Sequence, residues 1–447
     1  MAGRATTRIQ VSAHRFLVRR MEHALVRGDV RMLDDPLRAQ SLSLISGCVL
    51  AAIAVAVCAV LAVLQPRGDV GNAAIVMVRE SGAVYVRIGD TMHPALNLAS
   101  ARLITGVTEK PALVDAAALN RTRRGPVVGI PGAPATIGTP LAADELSWTV
   151  CEDDTRGTVA LAGTAPALTD SSARVLVTAR GESAATTYLL HDGRRARVDL
   201  RNPAVVRALK IEGVAPRPVS RALLDALPEV PGIATPAIPR VGAPSVLSGL
   251  PVGTVVRLTR ADSVEHYVVL ADGVQRIGEV AADLIRFTYA HRRDIVTIAP
   301  GLLGQVPIVD DLPVATFPDR GGVVESSVLC VRADSVLVTE SLSADGDLVL
   351  AQADGAGPNV DGFVMPAGRC GFVRAMGLSG EGAATGALYL VDDSGVVFGI
   401  RDEEAAGRLG LSDPVPTPWP LLARLPRGPE LSIEDASVSR DSVGPTP

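Results

Sequence analysis

Three short acidic runs are where this chain could most readily do chemistry: CEDD (Cys151 to Asp154), VDD (Val309 to Asp311) and VDD (Val391 to Asp393). Paired carboxylates can act as general acid and base. Each run also falls between Val-rich stretches, where acidic residues commonly serve as turn residues, and that reading takes precedence. The histidines (His14, His23, His93, His191, His266, His291) are scattered, with no pair at metal-ligand spacing and no His-Glu-x-x-His. A phosphate-binding loop needs Lys followed by Ser or Thr, yet Lys110 precedes Pro111 and Lys210 precedes Ile211. No Gly-x-Ser-x-Gly elbow occurs, and the glycine-rich stretch around Ser379 reads as a linker. No catalytic residue, metal ligand or cofactor is therefore assigned, and no nucleic-acid partner is expected.

The elements around these residues say more. Across 447 residues, 47% hydrophobic and 20% charged, the chain can bury a large core in more than one domain. With 3% aromatics, 43 Gly and 32 Pro, that core must be built from aliphatic side chains on many short elements. The fold class expected is α+β.

No charge occurs between Ala39 and Pro66, and Ser43 to Leu64 is apolar almost throughout. At about 1.5 Å per residue this stretch spans roughly 33 Å, enough for a hydrocarbon core of about 30 Å. It is too long, and too far from the start, for a cleaved signal peptide. Before it lie Arg4, Arg8, Arg15, Arg19, Arg20, Arg27, Arg31 and Arg38 against Glu22, Asp29, Asp34 and Asp35; just after it, Arg67 and Arg79 are balanced by Asp69 and Glu80. The positive-inside rule puts the N-terminus in the cytoplasm and the bulk of the chain in the periplasm. Residues 14 to 29 place Leu17, Met21, Ala24 and Leu25 on one helical stripe, with basic residues largely off it. Arg15, Arg19, Arg20 and Arg27 are the candidates for contact with anionic lipid or a cytoplasmic partner.

Beyond the span, four of the five tyrosines share a context: Tyr85 leads VYVRIGD, Tyr188 TYLLHDG, Tyr267 HYVVLADG and Tyr389 LYLVDDSG. A β-rich run meets a glycine (Gly89, Gly193, Gly273, Gly395), then a second apolar element follows. Asp272-Gly273 suggests a tight hairpin turn with both central residues at positive φ. Downstream of Tyr188 and Tyr389 comes a helix, a proline-containing bend, a second helix and a return. Four hairpin-plus-helix repeats follow, and the shared Tyr and Gly are structural markers of them.

Two inserts interrupt the repeats, and they resemble each other: a β-rich run into Cys151 or Cys330, an acidic turn, and another Val-rich strand. Together they predict one central β-rich domain, with repeats one and two on one side of it and three and four on the other. Equivalent places in the two inserts predict a Cys151–Cys330 disulfide in the periplasm and leave Cys370 unpaired; Cys48 and Cys58 lie in the span. The expected layout is 1–40 cytoplasmic, 41–65 transmembrane, 75–138 repeat 1, 139–181 and 319–383 the central domain, 182–240 repeat 2, 250–318 repeat 3, 384–434 repeat 4 and 435–447 a flexible tail. The periplasmic region would be elongated, with approximate two-fold symmetry.

VSAHRFLVRRMEHALVRGDVRMLDDPLR before the span, SGAVYVRIGDTMHPALNLASARLITG after it, RGPVVGIPGAP, and LPRGPELS near the end resemble the EccB family of mycobacterial type VII (ESX) secretion systems, and the likeness covers nearly all of residues 4–440. The resemblance implies a structural core subunit of an inner-membrane complex. Its partners would be the FtsK/SpoIIIE-type ATPase EccC, the many-span EccD and EccE, together with self-association of the periplasmic part. The family also carries an ATPase label, and ATP would be a ligand only under that alternative. A peptidoglycan-binding envelope module is the other alternative.

Overall fold

The structure, a computed structural model, describes residues 7–28, 36–64, 70–163, 173–181, 186–260, 263–289, 294–332, 334–342, 348–355, 357–378 and 380–440. Arg4, Arg31, Arg67, Asp69 and Ser379 lie outside these. Met1–Asp69 and Val70–Pro447 form two separate units.

In the first unit, α1 (Arg8–Arg27) opens with the Gln10 side chain accepting the Thr7 backbone N–H and closes at Gly28 in the left-handed region. Helix α2 (Pro36–Leu64) contains the apolar stretch Leu42–Val60, no part of it buried against protein. A helix so apolar and so uncovered needs lipid as its solvent.

The second unit begins with repeat 1. Strands β1 (Ile75–Val78), β2 (Val84–Ile88) and β3 (Thr91–Ala95) form an antiparallel meander, followed by α3 (Leu98–Thr105), β4 (Ala112–Val114) parallel to β1, α4 (Ala116–Leu119), β5 (Arg123–Arg124) and β6 (Val127–Val128). After the short β7 (Thr139–Pro140) comes the central hairpin of β8 (Trp148–Asp153) and β9 (Gly157–Ala162). Repeat 2 runs β10 (Val175–Ala179), β11 (Thr187–His191), β12 (Arg194–Val198), α5 (Pro203–Leu209), β13 (Arg217–Val219), α6 (Arg221–Asp225), β14 (Glu229–Ile233). Repeat 3 runs β15 (Val255–Thr259), β16 (Val264–Val269), β17 (Val274–Ile277), α7 (Glu279–Thr288), β18 (Val296–Thr297), α8 (Pro300–Leu303). The second central hairpin is β19 (Val328–Arg332) with β20 (Ser335–Thr339), joined by β21 (Leu348–Val349) and β22 (Gly362–Val364). Repeat 4 runs β23 (Arg369–Met376), β24 (Leu388–Val391), β25 (Val397–Ile400), α9 (Glu403–Leu409), β26 (Val415–Pro418), α10 (Trp419–Leu422), and the chain ends through α11 (Ile433–Ala436) and β27 (Ser439–Arg440).

Each repeat is thus a three-stranded meander, a helix, and a short strand returning parallel to the first strand. The expected hairpin headed by tyrosine lacks its first strand: β10 and β23 belong to repeats 2 and 4, so the boundaries at 181/182 and 383/384 fall one strand too late. The expected proline bends are the edge strands β13 and β26, where a missing N–H leaves no ladder bond unmade. The expected tail also folds in part: β27 pairs with β6, and Arg440 Nε donates to the Gly129 carbonyl at 2.8 Å. Residues 441–447 lie outside the described residues.

The two inserts do meet, in one six-stranded sheet ordered β20-β19-β8-β9-β22-β21. Cys151 stands opposite Cys330 in register and is bonded to it. On the sheet's other face, Val150, Leu329 and Val331 pack on repeat 2 residues Val177, Leu190, Leu223 and Leu224. Ala160, opposite Val150, and Phe363 pack on repeat 4 residues Val373, Val391 and Leu422.

The packing of the outer repeats departs from expectation. Repeat 1 lies on repeat 4, where Ala99 and Leu103 of α3 share a core with Ala405, Ala406 and Leu409 of α9. Arg102 donates to the Leu409 carbonyl (3.1 Å) and Arg408 to the Leu103 carbonyl (2.9 Å), so each helix caps the other's C-terminal end. Repeat 3 lies on repeat 2 in the same way, with Val205, Ala208 and Leu209 of α5 against Val280 and Leu284 of α7. The order through the molecule is therefore 1, 4, centre, 2, 3.

Candidate interaction sites

The repeat markers come first. Each tyrosine sits on the middle strand of its meander, opposite a valine of the first strand: Tyr85 with Val76, Tyr188 with Val177, Tyr267 with Val256 and Tyr389 with Val373. All four valines are fully buried. An aromatic beside a β-branched residue is a favourable cross-strand pair, which gives the recurrence a packing cause. Gly89, Gly193 and Gly395 have positive φ, as turn residues should, and Asp192-Gly193 makes a two-residue turn with both at positive φ. Gly273 does not follow the expected pattern: β16 and β17 close at Val269 and Val274 through four residues, and neither Asp272 nor Gly273 is at positive φ. Glycine is required there by contact instead, since a Cβ would stand 2.5 Å from the Pro307 carbonyl oxygen.

The acidic run CEDD, read above as a turn, lies at the edge of a cleft of about 610 Å³ between the central sheet and repeat 2. Asp153, Asp154, Arg156, Arg180, Arg217 and Asp361 line it. Glu152 points the same way as Val150 and is 1% exposed. It accepts from the Arg180 guanidinium, the Ser220 backbone N–H (3.1 Å) and the Thr158 hydroxyl (3.3 Å). Asp361 is just as engaged, taking the Asp354 and Gly355 N–H groups on one oxygen and the Thr158 N–H on the other. Burial pushes the Asp153 carboxyl up, but the Thr155 hydroxyl and the Thr155 and Arg156 N–H groups outweigh it and hold Asp153 below the usual range. Arg217 donates to Asp154 (2.8 Å) and to the Ser327 carbonyl (2.9 Å).

Glu152 and Asp154 are engaged by Arg180 and Arg217, and Asp153 and Asp361 by backbone N–H groups and the Thr155 hydroxyl. A catalytic carboxylate needs an oxygen directed at a substrate, whereas these oxygens hold the β8–β9 turn, the start of α6 and the 354–361 loop together. The arrangement braces two bodies. Sequence reasoning saw CEDD but missed Arg180, Ser220 and Asp361, which carry no motif and lie 28, 68 and 209 residues from Glu152 or beyond it in sequence.

Other candidates fall elsewhere. Arg15, Arg19 and Arg20 are exposed on α1, whose apolar stripe of Leu17, Met21 and Leu25 is exposed as well; Arg27 is its last residue. Cys370 is buried, as the unpaired cysteine of the second unit, and burial pushes its thiol up to about 12.

Residues 3–445 match the family described as "Type VII secretion system ESX-1, transport TM domain B". The chain belongs to the EccB family. It is 34% identical over 477 residues to the protein named ESX-3 secretion system ATPase EccB3 of Mycolicibacterium smegmatis, covering 99% of this chain and 92% of that one. It is similar to a chain of an intact ESX-5 inner membrane complex, with a TM-score of 0.69, 30% identity and coverage of 100% and 98%. It is similar also to a chain of the EccB3 dimer from the ESX-3 core complex, with a TM-score of 0.68, 33% identity and coverage of 82% and 100%. As an EccB-family protein with one helix long and apolar enough to cross a membrane among the described residues, it is a single-pass component of the cell membrane, its N-terminus cytoplasmic and its bulk periplasmic.

Proposed function

We propose that this chain is a structural core subunit of an inner-membrane ESX secretion complex, anchored by α2 and bracing the complex on the periplasmic side. The observation that carries this reading is how the second unit is joined: four repeats and a central sheet share cores in series, and a disulfide and a partly buried ion pair hold the middle. Such a body transmits force and position rather than turning over a substrate. An approximate two-fold axis near the disulfide is supported by the packing order, which exchanges repeat 1 with 3 and repeat 2 with 4.

Its partners on this reading are an EccC-type ATPase, EccD and EccE, with self-association of the periplasmic part. Arg15, Arg19, Arg20 and Arg27 on α1 make the cytoplasmic contact, to a partner or to lipid. No nucleotide is needed for the role.

Extraction of the full-length protein from membranes in mild detergent, followed by identification of what comes with it, tests this directly. Recovery with the other membrane components supports the proposal, and recovery of the chain alone overturns it. Exchanging Arg15, Arg19 and Arg20 for Glu should loosen the cytoplasmic contact while the Cys151–Cys330 disulfide still forms. ATP hydrolysis that scales with purified chain and disappears on one substitution would favour the family's ATPase label instead.

A further inference from the structure

Arg121, Arg123 and Arg124 are exposed, and among the described residues none of their guanidinium groups has a hydrogen bond or ion pair; only their backbones are tied, Arg121 to the Ala118 carbonyl and Arg123 and Arg124 to β3. Most arginines of the second unit are tied to carboxylates or carbonyls, as Arg180, Arg217, Arg369 and Arg408 are. Three adjacent unpaired guanidiniums are therefore unusual here. Like charges so close repel, and an unmatched cluster of this kind suits an anionic surface that lies outside the chain.

The topology of repeat 1 says where that surface is. Strand β1 receives the chain from the membrane span, and its first residue Ile75 pairs with Val86 near the end of β2. The end of β2, Ile88, pairs with Thr91 at the start of β3, and Thr91 pairs with Arg123 of β5, which runs parallel to β3. The start of β1, the end of β2 and the starts of β3 and β5 therefore share one end of the sheet. Strands are about 4.8 Å apart, so β5 stands roughly 15 Å across the sheet from where the chain comes in. Lys110 lies at the same end, two residues before β4, whose Ala112 pairs with Val76 of β1. Arg87 ties down the incoming segment through the Gly71 (2.7 Å) and Ala73 (3.2 Å) carbonyls. Ile88 at this end is 39% exposed. The acids here are Asp90 and Glu109, against Arg87, Lys110, Arg121, Arg123 and Arg124.

In sequence only residues 65–69 link Leu64, the last residue of α2, to Val70. We infer that this end of repeat 1, with Arg121, Arg123 and Arg124 as its basic rim, rests on the periplasmic leaflet and binds the phosphates of anionic lipid headgroups. Guanidinium suits phosphate because its donors match the oxygens in pairs, and exposed Ile88 can enter the headgroup boundary. The inference rests on the single span and its orientation, not on the partners proposed above; those partners could be absent and the lipid contact remain.

The test uses the full-length protein in nanodiscs of phosphatidylcholine alone, or of phosphatidylcholine mixed with phosphatidylglycerol. Amide hydrogen exchange across residues 119–126 is the readout. Exchange should slow in the anionic discs, the bound population rising about fivefold per arginine engaged. The slowing should vanish between about 0.1 and about 1 M salt, where the screening length falls from about 10 to about 3 Å. It should also vanish in the variant Arg121→Glu, Arg123→Glu, Arg124→Glu and persist when all three become Lys. Equal exchange in the two discs overturns the proposal, as does slowing that survives high salt or charge reversal. Protection seen only when another protein is added overturns it too, and assigns the rim to that protein. The salt and lipid comparisons need only the unaltered chain, so a variant that fails to fold does not remove the test.

Discussion

Removing the Cys151–Cys330 bond should lower the stability of the periplasmic unit by an amount set by the length of chain it closes. The two cysteines are 179 residues apart. On the chain-entropy relation a loop of that length costs the unfolded state about 17 to 18 cal/mol/K, or about 5 kcal/mol at 25 °C. The native state has little to lose, because Cys151 and Cys330 are register partners in a ladder that runs from Thr149–Arg332 to Asp153–Val328. Unfolding entropy near 2.1 cal/mol/K per residue, over the roughly 380 residues of the Val70–Pro447 unit, gives about 0.8 kcal/mol/K. The Cys151→Ala, Cys330→Ala variant should therefore melt about 6 to 7 °C below the oxidised protein, and the single Cys330→Ala variant should match it. Thermal unfolding of the full-length protein in detergent, followed by circular dichroism, reads this out. A decrease under about 1 °C would refute the loop-closure reasoning. A loss of β8 and β19 amide protection at 25 °C would show instead that the bond acts in the native state.

Three further substitutions probe the other supports. Glu152→Gln leaves the Arg180 charge at the central seam without its charged partner; because Arg180 is 23% exposed at the cleft, the loss should be about 1 to 3 kcal/mol in urea unfolding, below the figure for a fully buried pair, and no measurable loss would remove the pair from the support of the seam. Gly395→Ala should cost distinctly more than Gly89→Ala. Both have positive φ, worth about 1 kcal/mol, but a Cβ at Gly395 would lie 2.8 Å from Phe363 Cγ in the central core, whereas Gly89 faces open space. Equal losses would remove Phe363 from the explanation. His191 is buried, and burial pulls it below its ordinary value of 6.5, with the neighbouring Asp192 opposing. Because its folded value is depressed, the unfolded chain binds the proton more readily: full stability holds above about pH 6.5 and falls below it, by up to about 1.4 kcal/mol per pH unit. His191→Leu should flatten that slope, and an unchanged slope would place the acid sensitivity elsewhere.

The span, its orientation and the meeting of the two inserts could all be read from the residues in order. These are local or composition-level signals: an uncharged apolar run, an imbalance of arginine across it, and β-rich runs that recur around Tyr and Gly. Even the Cys151–Cys330 pairing was legible, because the two inserts are alike and like strands of one sheet meet at like positions. What only the tertiary structure decided was which repeat packs on which. Helices α3, α5, α7 and α9 present small and aliphatic residues of the same kind, so nothing local tells α3 to choose α9 over α5; adjacency in sequence suggested the wrong choice. That choice rests on reciprocal contacts some 300 residues apart, such as Arg102 with Leu409 and Arg408 with Leu103. The same limit hid the first strands of repeats 2 and 4, since β10 and β23 read like any Val-rich strand until their partners are known. It hid the central seam as well, where Glu152 is an ordinary turn acid until Arg180 and Ser220 close over it.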